Sequence, residues 1–152
     1  MEQRQGRAEA TGGQVHVCER HLGLGDLDWL GHVNNVRMLE MVQDAQVRWC
    51  YLEREAGVVA APCFVYAGHE IQYKRELTLR TAPVRIETRV TRIGRSSLHL
   101  ASRIRDDEAV YCEVASVAVA IDTERLRPRQ LSDGEREYFA RFAAAEPALS
   151  GV

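Results

Sequence analysis

Aromatic side chains make up only 7% of the chain, and there are only four prolines and four cysteines. Cys18, Cys50, Cys63 and Cys112 are widely spaced and form no Cys-x-x-Cys pair. They read as reduced thiols, not as a disulfide framework or a metal site. No apolar run reaches the length needed to span a bilayer. Met1 to Gly13 is polar and lacks the apolar core of a signal peptide, so the expected location is the cytoplasm. Neither sign of charge dominates: the net charge is −2 and the pI is about 6.2. This excludes a general electrostatic attraction for nucleic acid. What remains is 152 residues with 45% hydrophobic and 28% charged side chains, enough for one globular domain with its own core.

The periodicities divide the chain. Residues 1–13 have little to bury and read as a disordered tail. Gln14 to Leu22 alternates as a first strand, with His16 and His21 at its surface or on a strand face. Val36 to Arg54 carries a helical stripe of Met38, Met41, Val42, Ala45, Trp49 and Leu52, with Arg37, Glu40, Asp44 and Tyr51 roughly opposite. Gly57 and Pro62 close that region. Cys63 to Leu79 reads as a strand bent at Gly68. Val84, Ile86, Thr88 and Val90 alternate with Arg85, Glu87, Arg89 and Thr91, which gives one dry and one wet face. Gly94 marks a hairpin, and Leu98, Leu100, Ser102 and Ile104 continue the dry face. Asp106-Asp107-Glu108 is the next turn. Ala109 to Ile121 is apolar almost throughout and reads as a central, doubly covered strand. Ser132 to Glu135 is a capping box for a short helix over Glu135 to Ala145, with a fraying end from Pro147. Strands joined by short turns with one long helix give an α+β arrangement on an antiparallel sheet. The expected division is a tail at 1–13, a main domain at 14–131, and a C-terminal helix and tail at 132–152.

The densest chemistry lies in Gly25-Asp26-Leu27-Asp28-Trp29-Leu30-Gly31-His32-Val33-Asn34-Asn35, immediately before the long helix. Carboxylates can act as base or nucleophile, and an imidazole can carry a proton near neutral pH. The first amides of a helix have no intrahelical acceptor and can face a developing oxyanion. The same residue types also make plain turns and caps.

The string Asp-x-Asp-x-x-Gly-His-Val-Asn-Asn ahead of a long helix resembles the hotdog-fold acyl-CoA thioesterases, in the 4-hydroxybenzoyl-CoA thioesterase-like branch. Ile71-Gln72-Tyr73-Lys74-Arg75, Arg92-Ile93-Gly94-Arg95-Ser96-Ser97-Leu98 and Val117-Ala118-Val119-Ala120-Ile121-Asp122 are similar to that family's later segments, in the same order. The resemblance covers about Val15 to Pro128. It implies a sheet wrapped around the central helix, and a homodimer or homotetramer binding acyl-CoA along the subunit boundary. No cofactor or metal is implied beyond the CoA of the substrate, and no nucleic-acid or membrane partner.

The resemblance makes Asp28 the catalytic carboxylate, attacking the thioester or activating water. It gives the Asn35 amide the oxyanion, and gives His32 a water or the substrate carbonyl. Gly31, Asn34, Met38 and Tyr73 become substrate-side residues, and Lys74, Arg75, Arg92 and Arg95 candidate contacts for the CoA phosphates. Asp26 reads as a turn or cap, His69 and His99 as structural or exposed, and Asp44 as facing away from the stripe. The chain departs from the family pattern at Met38, at Asp44-Ala45-Gln46, and at Glu76, where a proline commonly follows the arginine. The competing expectations are a non-enzymatic hotdog protein binding acyl-CoA or acyl carrier protein, an enoyl-CoA hydratase, and a structural dimer.

Overall fold

The computed structural model describes residues 13–53 and 64–143. The tail expected at 1–13 lies outside them apart from Gly13, as do Gly57, Pro62, Cys63 and the end beyond Pro147. Strands β1 (His16–Arg20), β2 (Phe64–Tyr73), β3 (Val84–Ile93), β4 (Ser97–Arg105) and β5 (Val110–Asp122) form a sheet in the order β1-β3-β4-β5-β2. Every pairing is antiparallel, and the two-residue β6 (Arg127–Pro128) adds to the end of β5. Helix α1 (Asn35–Val47) lies on one face of the curled sheet, and α2 (Asp133–Ala140) closes one end. This is the hotdog arrangement the resemblance implies.

Alternation decides which faces meet. Val84, Ile86 and Val90 on β3 and Leu98, Leu100 and Ile104 on β4 are buried toward the helix, while Arg85, Glu87, Arg89 and Arg103 lie on the outer face. Met38, Met41, Val42, Ala45 and Trp49 supply the helix side of the core. β5 is central, as expected, but its outer Val117 and Val119 are only half-buried.

Several expected bounds shift. After Val47 the helix widens into a π-helical stretch, Arg48–Glu53. The wider turn changes the phase of the stripe, so Leu52 is 72% exposed instead of packed. β2 ends at Tyr73, not Leu79, because the next residues leave the ladder: Lys74 and Arg75 both donate main-chain N–H groups to Tyr111. The bend at Gly68 is a register shift between Tyr66 and Gly68. His16 is not a free surface group. Its ring stacks on Trp49 at 5.0 Å, and its Nε2 meets Glu53 at 2.7 Å. The capping box of α2 forms as read, with reciprocal Ser132–Glu135 bonds, and Arg129 pairs with Glu135. The helix itself begins two residues earlier than expected and ends at Ala140.

The core has two apolar clusters, one around Met38, Val84 and Val114 and one around Trp49, Leu100 and Phe139. A polar seam crosses the helix–sheet interface. Thr88 Oγ1 bonds Ser102 Oγ at 2.7 Å. Gln46 Nε2 donates to Ser102 and Ser116, and Gln46 Oε1 accepts from the Tyr66 hydroxyl at 2.7 Å. Ser116 Oγ in turn meets His69 Nδ1 at 2.9 Å. Buried polar groups need such partners, and here each of β2, β3, β4 and β5 contributes at least one.

Candidate active site

The motif folds as a tight loop between two residues that pair with each other. Leu27 and Val33 form an antiparallel bridge. Between them the Asp28 N–H donates to the His32 carbonyl at 2.8 Å, and the Gly31 N–H to the Asp28 carbonyl at 3.1 Å. Gly31 has φ +79°, a left-handed conformation that glycine adopts without strain. The Val33 N–H donates to the Leu77 carbonyl and His32 bridges Thr78, which ties the loop to the segment after β2. Asp26 anchors the other side. It is buried, accepts from the Gly23 N–H at 2.8 Å, and pairs with Arg20 at 2.9 Å. It therefore acts as a cap and an anchor.

This scaffold orients Asp28. Its Oδ1 accepts from the main-chain N–H of Leu30 at 2.9 Å and of His32 at 3.2 Å. Among the described residues Oδ2 makes no hydrogen bond, so one carboxylate oxygen is held and the other stays available. The Asn34 side chain caps α1 by accepting from the Val36 N–H at 2.8 Å. Intrahelical bonding starts with the Met38 N–H on the Asn34 carbonyl. The Asn35 N–H therefore precedes the first intrahelical bond. The Tyr73 hydroxyl donates to the Asn35 carbonyl at 3.0 Å and brings the end of β2 to the helix start. His32 Nε2 lies 3.4 Å from Glu76 Oε2.

These groups share a cleft of about 440 Å³, lined by Asp28, His32 and Asn35 with Met38, Tyr73, Lys74 and Arg75 among its walls. A carboxylate, an imidazole, a helix N-terminal amide and two cations converge there. That set can deliver a nucleophile or base to a carbonyl, stabilise the resulting oxyanion, and hold an anionic group nearby.

A family model described as the thioesterase-like superfamily matches residues 22–148. The chain belongs to that superfamily. A thioesterase from Thermus thermophilus, solved complexed with coenzyme A and Zn, is 27% identical, with a TM-score of 0.70 over 84% of this chain and 98% of that one. A Staphylococcus aureus protein solved in complex with CoA is 14% identical, with a TM-score of 0.77 over 95% of this chain and 94% of that one. At that identity the second likeness concerns the fold alone. A comparison with curated proteins found no match.

Other residues singled out in this thioesterase-like chain lie elsewhere. Gly31 and Asn34 shape the loop and the cap behind the cleft. Arg92 and Arg95 sit at the β3–β4 hairpin, at the end of the sheet near Phe64 and α2, whereas the cleft lies at the end near Tyr73. Within one chain they do not reach it. Asp44 is exposed and pairs with Arg48 at 3.1 Å. Glu76, Leu30 and Val33 line the cleft and were not singled out as site residues. Glu76 carried a signal, since it stands where the family pattern commonly has proline. Among the described residues no group of three or more His, Cys, Asp and Glu side chains could hold a metal ion, and no helix is long and apolar enough to cross a membrane.

Proposed function

We propose that the chain hydrolyses acyl-CoA thioesters in the Asp28 cleft. The observation that carries this reading is the geometry of Asp28: Oδ1 is fixed by two main-chain amides, and Oδ2 has no hydrogen-bond partner among the described residues, in a cleft shared with the start of α1. The superfamily membership and the CoA in the Thermus thermophilus structure support thioester chemistry and a CoA-bearing substrate.

In the mechanism, the thioester carbonyl oxygen accepts from the Asn35 N–H at the positive end of α1. Oδ2 of Asp28 then attacks the carbonyl carbon, or removes a proton from a water that does so. The C–S bond breaks, and the sulfur leaves as a thiolate that takes a proton from solvent. In the first route, water then cleaves the acyl–aspartyl anhydride. His32 orients the attacking water, and Glu76 holds the imidazole from the Nε2 side. Lys74 and Arg75 at the cleft wall take the CoA phosphates. Trp29, Leu30 and Val36 are exposed apolar residues around the loop and helix start, which supports a homodimer in which a second copy covers them.

The test is free-thiol release from acyl-CoAs of varied length and aromaticity, with Asp28→Asn beside the wild type. A thioesterase releases thiol and loses at least ~100-fold in kcat on losing the carboxylate. A binding protein retains acyl-CoA without releasing thiol, and that result would overturn the reading.

A further inference from the structure

Helix α1 and strand β2 run alongside each other in opposite directions, joined by a ladder of side-chain hydrogen bonds. Tyr73 meets Asn35 at 3.0 Å, His69 meets Gln43 at 2.9 Å, and Tyr66 meets Gln46 at 2.7 Å. Beyond these, the Phe64 N–H donates to the Tyr51 hydroxyl at 2.8 Å. The first rung borders the catalytic cleft. Between it and the second lie Leu39 and Ile71, half-buried apolar residues packed on the core. β2 is the last strand of the sheet path, so among the described residues no strand covers the outer side of this ladder.

An acyl group leaving the cleft along this edge crosses Leu39 and Ile71 and then meets Gln43 and His69. The span can be reckoned twice. From Asn35 to Gln43 the helix rises about 12 Å. From Tyr73 back to His69 the strand covers about 13 Å. The two routes agree, so the polar pair sits one fixed length from the oxyanion amide.

The chemistry of the pair is set by what lies behind it. The Gln43 amide nitrogen donates to His69 Nε2, so the imidazole proton is on Nδ1 and points to Ser116 Oγ. Burial lowers the His69 pKa from its ordinary value, so the ring stays neutral and offers no positive charge to a carboxylate. Among the described residues, Gln43 has no other hydrogen-bond partner, which leaves its Oε1 and second N–H for a ligand. One acceptor and one donor together match a hydroxyl.

Building on the thioesterase reading, we infer that Gln43 and His69 form an acyl-terminus subsite for a hydroxyl group, about 12 Å along the helix from the amide that receives the thioester carbonyl oxygen. The substrate class is then a medium-chain acyl-CoA hydroxylated at its far end. A plain alkyl chain of that length would strip water from the amide without replacing its hydrogen bonds.

The experiment compares ω-hydroxydecanoyl-CoA with decanoyl-CoA by thiol release. The wild type favours the hydroxylated chain in kcat/KM by about tenfold or more. Gln43→Leu removes the amide, and the ratio falls to about one or inverts. If Gln43→Leu does not fold, Gln43→Met reads the same ratio on an unbranched, helix-favouring side chain. Equal turnover of both chains by the wild type, or a ratio unchanged in the folded variant, overturns the inference while leaving the thioesterase reading in place. If neither thioester is cleaved, the thioesterase reading fails. Calorimetric titration of the same two uncleaved compounds then decides whether the hydroxyl is recognised.

Discussion

The hydroxyl of Tyr73 donates to the main-chain carbonyl of Asn35 at 3.0 Å, fastening the last residue of β2 to the first residue of α1. The carbonyl it holds belongs to the residue whose N–H is assigned to the oxyanion. Tyr73→Phe removes only that bond. It is expected to cost about 1 kcal/mol in urea unfolding, as a lost neutral hydrogen bond does. The freed helix start should also lower kcat several-fold, because a small displacement of an oxyanion donor weakens transition-state stabilisation. Thiol-release kinetics beside the unfolding curves separate the two effects. An unchanged kcat would show that the helix start holds its place without this rung.

Gly31 turns the Asp28 loop at φ +79°, and nothing lies within 4 Å of where a Cβ would stand. A substitution there therefore meets backbone strain and no clash. Gly31→Ala is expected to lose about 1–2 kcal/mol, and Gly31→Asn less, because Asn tolerates left-handed backbone better. Thermal unfolding of both variants checks the order. Equal losses would point to contacts with a bound partner instead of dihedral cost.

The turn between β4 and β5 braces the segment that carries the cleft wall. Asp106 accepts from the Tyr111 hydroxyl at 2.6 Å and pairs with Arg80, while the Tyr111 carbonyl holds Lys74 and Arg75. The Tyr111 hydrogen bond, aided by main-chain donors at Glu108 and Ala109 and by Arg80, lowers the Asp106 carboxyl from 3.8 to about 2. A carboxyl that ionises more easily in the fold stabilises it above its unfolded pKa. That contribution disappears as pH falls toward the folded value. Asp106→Asn should therefore unfold at lower urea than the wild type at neutral pH, with the gap closing between about pH 4 and pH 2. A gap that stays constant across that window would assign the difference to packing and not to charge.

How much of this was legible depended on whether a residue obeyed its period. Val84 to Val90 alternates, Leu98 to Ile104 does so except at the buried Ala101, and the sheet has one dry face, so strand, face and hairpin could all be read. Asp28 could be singled out because a specific string surrounds it. The stripe places Leu52 in the core, but the helical period holds only until the chain widens at Arg48, and a π-turn leaves little mark in composition. Arg92 and Arg95 looked equivalent to Lys74 and Arg75 as cations near strand ends. Only the register shows which end of the sheet each pair occupies. Thr88 and Ser102 sit at inward strand positions, where the alternation predicts burial, whereas Gln46 is buried although the helical stripe does not include it. The pattern could not show that they would find one another across three elements, because that depends on how α1 crosses the sheet.

Gln46 is the hub of that meeting. It is 1% exposed, its amide nitrogen serves Ser102 and Ser116, and its carbonyl is the acceptor for Tyr66. Ser102 and Ser116 have second partners in Thr88 and His69, whereas among the described residues Tyr66 has no other hydrogen bond. Burial also raises the Tyr66 phenol well above its ordinary value, so the group stays neutral and must be satisfied as a donor. Gln46→Leu fills similar space but strands the hydroxyl, and is expected to cost about 2–3 kcal/mol in urea unfolding. Tyr66→Phe alone leaves the Gln46 carbonyl without that donor and should cost about 1–2 kcal/mol. The double variant removes both members of the pair, so its loss should be smaller than the two single losses added together, by about 1 kcal/mol or more. Strict additivity would mean that water already satisfies the orphaned groups.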